Sequence, residues 1–180
     1  MDIVAQGYSL LSNHIDTVTL VLGVASAILG GVFFAFSMFV MAALGNLKPA
    51  EGIRAMQRIN IDVFCRSFML LFLGLPVVML CIGVMALLNL TEPYAIRLLL
   101  AASVFLVGVF MVTVLGNVPL NNTLAGVNTG ISAGEGERQA DGSGIEPSAN
   151  ALWVNYQLVW QRWNTLRAFA CLVSSVVLLV

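Results

Sequence analysis

The chain has 180 residues, of which 59% are hydrophobic and 9% charged, and its formal net charge is -1. A soluble domain carries roughly 25% charged residues, so this composition, with a mean hydropathy of +0.96, predicts an integral membrane protein in contact with the lipid bilayer. No basic excess is available to bind nucleic acid. The single histidine and the three scattered cysteines predict no metal site and no bound cofactor.

Four apolar stretches of the chain are long enough to cross a bilayer about 30 Å thick, which takes roughly 20 helical residues. They predict an all-α fold, an integral membrane four-helix bundle that forms a single domain over residues 1–180. The predicted spans are about 17–44, 67–88, 95–118 and 157–180.

The first predicted span carries small residues at helical spacing, Ala27, Gly31 and Ala35. Such a ladder lets two helix backbones approach closely, so it predicts a helix contact on this face. Ser37 follows near the cytoplasmic end of the same span.

The loop after the first span, residues 45–66, is charged and contains apolar residues at helical spacing. Arg54 and Arg58 lie one turn apart on the opposite face. This pattern predicts an amphipathic helix at the cytoplasmic interface. We interpret Asp62 as the local partner of Arg58 or Arg66 rather than as a catalytic base.

The basic residues set the orientation of the chain. Most of them flank the first loop or lie in the third, whereas the opposite side has only Arg97. The positive-inside rule therefore places loops 45–66 and 123–150 in the cytoplasm and both termini outside, in the inner (plasma) membrane of the cell. Residues 123–150 are rich in Gly, Ser and acid, which predicts a flexible loop.

The polar residues of the fourth predicted span fall on one helical stripe. At about 100° per residue, this stripe is predicted to contain Trp153, Tyr156, Trp160, Asn164, Arg167, Cys171 and Ser174. A cation in hydrocarbon costs about 2.5 kcal/mol or more, so the stripe is predicted to face the interior. Inside the predicted spans, Asp16 at one edge is the only acid. Arg167 is therefore predicted to meet an anionic ligand or another chain, a second copy included.

The third predicted span offers a matching polar face, Thr113, Asn117 and Asn121, beside Pro119. With Ser37, these groups converge on the cytoplasmic half of the predicted bundle. The predicted walls are Phe33, Phe34, Phe36, Trp160 and Trp163. This is the composition of a pocket for a planar aromatic or quinone-like molecule. Two alternatives stay open: the tryptophans form an interfacial belt, and the asparagines only join helices.

Four segments, GVFFAFSMFVMAAL, AMQRIN, GNVPLNN and WQRWNTLR, resemble in order the anthrone oxygenase-like family of small four-helix membrane proteins. The resemblance implies oxidation of an anthrone to an anthraquinone by O₂ without metal or flavin, as in fungal polyketide pathways. The sequence departs from the family at Thr165, where members often have His, and at Cys65 and Arg66, where Asn-Pro is frequent. The motif positions fall on Asn60, Asn117, Pro119, Asn121, Trp160, Asn164 and Arg167.

These observations lead to a prediction for the site. Arg167 and Asn164 are the predicted catalytic residues, because they could stabilise a phenolate-like oxygen formed when the substrate reacts with O₂. Only Asp62, Glu51 or a water held by asparagines is near enough to serve as the base. The predicted substrate-binding residues are Trp160, Asn60, Asn117, Asn121, Ser37 and Phe33.

A non-catalytic function is the alternative. The chain would then be a small membrane protein that binds a quinone or an anionic lipid, or an accessory subunit of a membrane complex. The sequence leaves the choice between enzyme and binding protein open, as it does the oligomeric state. A transporter is disfavoured, because the spans contain no acid-rich relay and no convincing internal repeat.

Overall fold

A computed structural model of the chain describes residues 14–128 and 147–180, with side chains from residue 150 onward in the second range. Within these ranges the chain is all-helical, with five helices and no strands. The helices are α1 (Ile15–Gly45), α2 (Pro49–Asp62), α3 (Arg66–Leu88), α4 (Ala95–Ala125) and α5 (Pro147–Leu179).

Three of the helices in the described ranges, α1, α3 and α4, are long and apolar enough to cross a membrane. The sequence predicts four such helices, and α5 is the one that falls short. It is the longest, with 33 residues, but the WQRWNTLR segment interrupts its apolar run with amides and two arginines.

Two helices extend further than the sequence predicts. Helix α4 continues past residue 118 to Ala125, and Pro119 lies where its last π-helical segment gives way to an α-helical one. Helix α5 begins at Pro147, ten residues before the predicted start at 157. The rest of the predicted flexible loop, residues 129–146, lies outside the described residues.

Helix α2 is the amphipathic helix predicted for the first loop. Pro49 stands at its first turn, where its fixed φ suits the start of a helix. Ile53 and Met56 are buried, whereas the outer face is charged. There Arg58 Nε lies 2.9 Å from Asp62 Oδ2, which confirms Asp62 as a local partner of that arginine.

Helices α1 and α5 run antiparallel in close contact. A Cβ on Gly23 would lie 2.7 Å from the Leu179 side chain, and one on Gly30 would lie 2.8 Å from Cys171 Cβ. A larger residue at either position would therefore force the facing side chain or helix to shift. The predicted contact through Gly31 is wrong, because a Cβ there would meet nothing within 4 Å. The contacting ladder lies one residue earlier, on the adjacent face of the helix.

Helix α5 also packs antiparallel against α4. A Cβ on Gly108 would lie 2.6 Å from Ala170 Cβ, and one on Gly116 would lie 2.8 Å from the Trp163 ring. Helix α3 packs in turn on α4 and α1. With α1 on one side and α4 on the other, α5 is enclosed along its polar stripe.

Three π-helical segments interrupt the long helices at the level of this stripe: Phe36–Val40 in α1, and Leu106–Met111 and Thr113–Asn117 in α4. In the first, the Met41 N–H bonds to the carbonyl of Phe36. In an α-helix that N–H would bond to Ser37, so the π turn leaves the Ser37 carbonyl free for another donor. Such segments often occur at functional sites.

Candidate functional site

The polar stripe of α5 faces the interior, as its periodicity predicts. Its seven residues, from Trp153 to Ser174, are each at most 5% exposed. Arg162, which the periodicity places off the stripe, is exposed. Helix α5 therefore directs one row of polar and aromatic side chains between α1 and α4.

Arg167 is the only charged residue of the stripe, and its contacts are to neutral groups. Its NH1 donates to Thr113 Oγ1 at 3.2 Å and its NH2 donates to Asn164 Oδ1 at 2.7 Å. Its Cζ lies 4.2 Å from the Phe33 ring centroid and 5.5 Å from that of Trp160, distances at which aromatic faces attract a cation.

No counter-ion compensates this cation within the described residues. The ion pair found there joins Arg58 and Asp62 on the exposed face of α2. The Nε of Arg167 is buried and has no hydrogen-bond acceptor among the described residues. A buried cation without a carboxylate is costly, so this geometry favours a negative charge brought by a bound molecule.

Asn164 fixes the orientation of Arg167 by connecting it to α1. Its Nδ2 donates to the Phe33 carbonyl at 2.6 Å and to Ser37 Oγ at 2.8 Å. Thr165 Oγ1 donates to the same Ser37 hydroxyl at 2.9 Å, and Gln161 Nε2 donates to the Ser37 carbonyl at 2.8 Å. The last bond uses the carbonyl that the π turn leaves free. We call Arg167, Asn164, Ser37, Thr113 and Phe33 the Arg167 network.

Asn117 lies next to this network on α4 and is almost fully buried. Its Nδ2 lies 3.4 Å from the Trp160 carbonyl, a long hydrogen bond, and its Oδ1 has no donor among the described residues. Asn117 thus joins α4 to α5 and keeps an unused acceptor near Trp160.

Asn121, one turn further along α4, holds two aromatic side chains of α5. Its Oδ1 accepts from the Tyr156 hydroxyl and from Trp160 Nε1, both at 2.9 Å. Burial raises the pKa of Tyr156, which precedes the predicted fourth span, so its phenol stays protonated and donates. Asn60 of α2 lies beside the same hydroxyl, although its buried Nδ2 makes no hydrogen bond of good geometry among the described residues.

An open cleft of about 550 Å³ lies between α2 and the last turns of α4. We call it the asparagine cleft. It is lined by Arg54, Gln57, Asn60, Ile61, Phe64, Val118, Asn121, Asn122, Ala125, Val127 and Asn128.

The predicted site residues therefore fall into two groups. Phe33, Ser37, Asn164 and Arg167 form the deep network, with Asn117 beside it. Asn60 and Asn121 line the asparagine cleft. Trp160 contacts both groups, because its indole bonds to Asn121 on one side and lies against Arg167 on the other.

Two of the five predicted aromatic walls do not enclose the site. Phe34 is 59% exposed and Trp163 is 39% exposed, so both present much of their rings to the outside of the helices. Phe36 does pack beside Trp160, with ring centroids 5.6 Å apart. The prediction of an enclosing wall is therefore wrong for Phe34 and Trp163, which each lie one residue off the inward face of their helix.

The structure adds residues that the sequence prediction left out. Gln161 and Thr165 bond to Ser37. Their helical spacing, which places them on the same face as Asn164, was the signal in the sequence that could have predicted this. Gln57 Nε2 donates to the carbonyls of Leu124 at 2.9 Å and Val127 at 3.0 Å. Gln57 belongs to the AMQRIN segment, but its contacts could not be predicted, because its partners are backbone atoms 67 and 70 residues away.

The acids suggested as bases lie away from the Arg167 network. Glu51 and Asp62 are exposed on α2, and Asp62 is bonded to Arg58. In the part of the chain that the structure describes, no three His, Cys, Asp or Glu side chains are grouped as metal ligands would be. The network offers hydrogen-bond donors and a positive charge, which are suited to stabilising an anion.

Comparison with known proteins identifies the chain. A family model described as anthrone oxygenase matches residues 68–177, which is 110 of the 180 residues. The match covers nearly all of α3, the whole of α4 and most of α5, including Arg167, and it leaves out α1 and α2. No curated protein and no solved structure shows a significant match. On this match, the chain belongs to the anthrone oxygenase family.

Proposed function

We propose that the protein is a membrane-embedded oxygenase that oxidises a planar anthrone- or hydroquinone-like substrate with O₂ and without a cofactor. The observation that carries the proposal is the buried, uncompensated guanidinium of Arg167 between Phe33 and Trp160. Family membership supports the oxygenase class, and the aromatic contacts support a flat substrate.

The proposal includes the placement of the chain in the membrane. Helices α1, α3 and α4 would span the bilayer, with α5 as the fourth helix of a bundle. The Arg167 network would then lie in the cytoplasmic half, with α2 at the interface. Enclosure of α5 between α1 and α4 supports this arrangement, because intramembrane polar residues almost always face the interior of a bundle.

The reaction balances without an external reductant. The anthrone methylene loses two hydrogens and gains one oxygen atom, while the second oxygen atom of O₂ leaves as water. The substrate supplies all four electrons, since its CH₂ becomes C=O as O₂ is reduced. The protein has to stabilise the carbanion that reacts with O₂, whose charge is delocalised onto the ring oxygen.

Arg167 would supply that stabilisation. Its Nε–H lacks an acceptor, and Asn164 and Thr113 hold its two terminal nitrogens in place. A fixed cation in an apolar site stabilises a developing oxyanion strongly, because little reorganisation is needed. A water bound to Asn117 Oδ1, which has no donor among the described residues, would accept the proton, since Glu51 and Asp62 lie on the outer face of α2.

A second candidate function is binding without turnover. Both terminal nitrogens of Arg167 already donate to neutral oxygens, as in a purely structural arginine. The chain would then hold a quinone or an anionic lipid, or serve as an accessory subunit of a membrane complex.

The experiment is a rate measurement on purified protein in nanodiscs with emodin anthrone and O₂, corrected for empty nanodiscs. We expect the wild type to exceed the background and Arg167→Met to lose at least about 100-fold of the corrected rate, as for removal of an oxyanion donor. Arg162→Met is the matched control, because Arg162 is an exposed arginine on the same helix. It should retain the rate within about twofold.

Two outcomes would reject the proposal. A wild-type rate equal to that of empty nanodiscs, combined with measurable binding of the anthraquinone, would favour the binding function. Equal losses in the Arg167 and Arg162 variants would show that the deep cation has no special role.

A further inference from the structure

The asparagine cleft has the dimensions of a ligand site, and the chemistry proposed for Arg167 does not account for it. Its volume of about 550 Å³ lies within the range of small-molecule pockets, roughly 300–1,000 Å³. Its lining combines apolar side chains, among them Ile61, Phe64 and Val118, with several side-chain amides. Phe64 is 72% exposed and offers a ring face to a flat molecule.

The amide of Asn121 has a defined orientation in this cleft. Its Oδ1 is turned toward α5 by two donors, Tyr156 and Trp160. Its Nδ2 is consequently the end left to face the cleft, and it donates no hydrogen bond within the described residues. The arrangement presents a donor of fixed position and leaves no freedom for the amide to flip.

Asn60 lies on the opposite wall of the cleft. Its Nδ2 is buried beside the Tyr156 hydroxyl and has no surface open to the cleft. Asn60 therefore shapes the wall, and Asn121 supplies the donor. Gln57 holds the two walls together through its bonds to the end of α4.

The cleft is separated from the Arg167 network along α4. Asn121 lies eight residues from Thr113, which contacts Arg167, and this is about 12 Å at 1.5 Å per residue. Trp160 lies between the two groups and contacts both. Groups that touch a ligand in the cleft are therefore different from those proposed to act in the chemical step.

We propose that the asparagine cleft is a docking site for the oxygen-bearing edge of a planar aromatic ligand, with the amide group of Asn121 donating to a carbonyl or phenolate oxygen of that edge. The identity of this ligand as an anthrone or anthraquinone rests on the function proposed above. The donor selects molecules with an acceptor oxygen on one edge and disfavours a hydrocarbon of the same shape.

The test measures equilibrium binding of the anthraquinone emodin to the full chain in nanodiscs of zwitterionic lipid. Asn121→Asp keeps the oxygen that Tyr156 and Trp160 require and removes the donor, so the fold is preserved. Asn155→Ala is the control because Asn155 is an exposed asparagine of α5. Partitioning of emodin into lipid is common to all variants, so differences between them report on the site.

We expect Asn121→Asp to bind emodin about fivefold to tenfold more weakly than the wild type, as for one lost hydrogen bond. The control should be unchanged, and binding of anthracene, which has no oxygen, should be equal in all three proteins. With emodin anthrone, Asn121→Asp should raise KM and leave kcat within about twofold.

Unchanged emodin binding in Asn121→Asp would overturn the docking site, and so would an equal loss of anthracene binding. Displacement of emodin by anionic lipid that depends on Asn121 would assign the cleft to a phosphate headgroup instead. These outcomes are separable from failure of the proposed function, which is judged by the rate of the wild type and of Arg167→Met.

Discussion

Replacement of Asn164 by leucine should destabilise the protein, and more so than replacement of Arg167. Asn164 is fully buried and bonds to Phe33, Ser37 and Arg167. Asn164→Leu removes all three bonds and leaves a guanidinium N–H of Arg167 unpartnered, while the Phe33 carbonyl keeps the backbone N–H of Phe36. A buried unpaired group costs about 1–3 kcal/mol, and a charged one more. After the favourable free energy of burying leucine is subtracted, the free energy of unfolding should fall by about 2–4 kcal/mol.

The double variant gives the sharper result. When Arg167→Met is combined with Asn164→Leu, the stranded cation is removed together with its partner, so the double variant should be more stable than Asn164→Leu alone. The expected coupling energy is about 1–3 kcal/mol, the range for residues in direct contact. Additive losses would show that the two side chains do not act as a unit.

Cys171 provides the assay. It is fully buried, whereas Cys65 and Cys81 are exposed, so in a Cys65→Ser, Cys81→Ser background a thiol-reactive dye reports unfolding of the core. For a protein of this size 1 kcal/mol corresponds to roughly 2–4 °C in Tm, so Asn164→Leu should lower Tm by about 4–16 °C. Asn155→Leu, on the exposed face, is the control. A shift below about 2 °C for Asn164→Leu would refute the reasoning.

Two further predictions concern helix packing. Gly108→Ala should lower Tm by several degrees and reduce the anthrone oxidation rate, because the added Cβ would lie 2.6 Å from Ala170 Cβ. Gly74→Ala, whose Cβ would meet nothing within 4 Å, should leave Tm unchanged or slightly raised. Gln57→Leu removes both bonds to the end of α4. Backbone amides of α2 should therefore exchange hydrogen faster, while those of α5 stay protected. Exchange in α2 equal to that of the wild type would contradict this role.

Much of the helical organisation follows from periodicity alone. The stripe on α5 was predictable, because an Arg and an Asn in an apolar helix must share a face that avoids lipid. Thr113, Asn117 and Asn121 of α4 do meet that stripe, as their spacing indicates. Periodicity selects a face reliably when polar residues mark it.

The axial alignment between helices could not be read from the sequence. The partner of Asn164 is a backbone carbonyl, Phe33, whose availability depends on the local helix geometry. The π turn at Phe36–Val40 has no marker in the residue types, yet it frees the Ser37 carbonyl for Gln161. On α1, small residues occur on more than one face. The four-residue spacing of Ala27, Gly31 and Ala35 predicts a contact through Gly31, whereas Gly30 makes the contact in the structure.

The separation of the site into a deep network and a shallow cleft was equally hidden. In the sequence the asparagines and Arg167 fall in one half of the predicted bundle, which predicts a single pocket. The structure places Trp160 between them, because its indole N–H is drawn to Asn121 while its ring covers Arg167. Only the packing of α2 against α4 creates the cleft that Asn60 lines.

The central claim is that this chain oxidises its substrate with O₂, using electrons from the substrate alone. The most direct measurement follows O₂ uptake and anthraquinone formation together, with wild-type protein in nanodiscs, emodin anthrone and ¹⁸O₂. Our account predicts one O₂ consumed for each anthraquinone formed, one labelled oxygen in the product, no accumulated peroxide, and a rate well above that of empty nanodiscs. Product formation at the empty-nanodisc rate would contradict it.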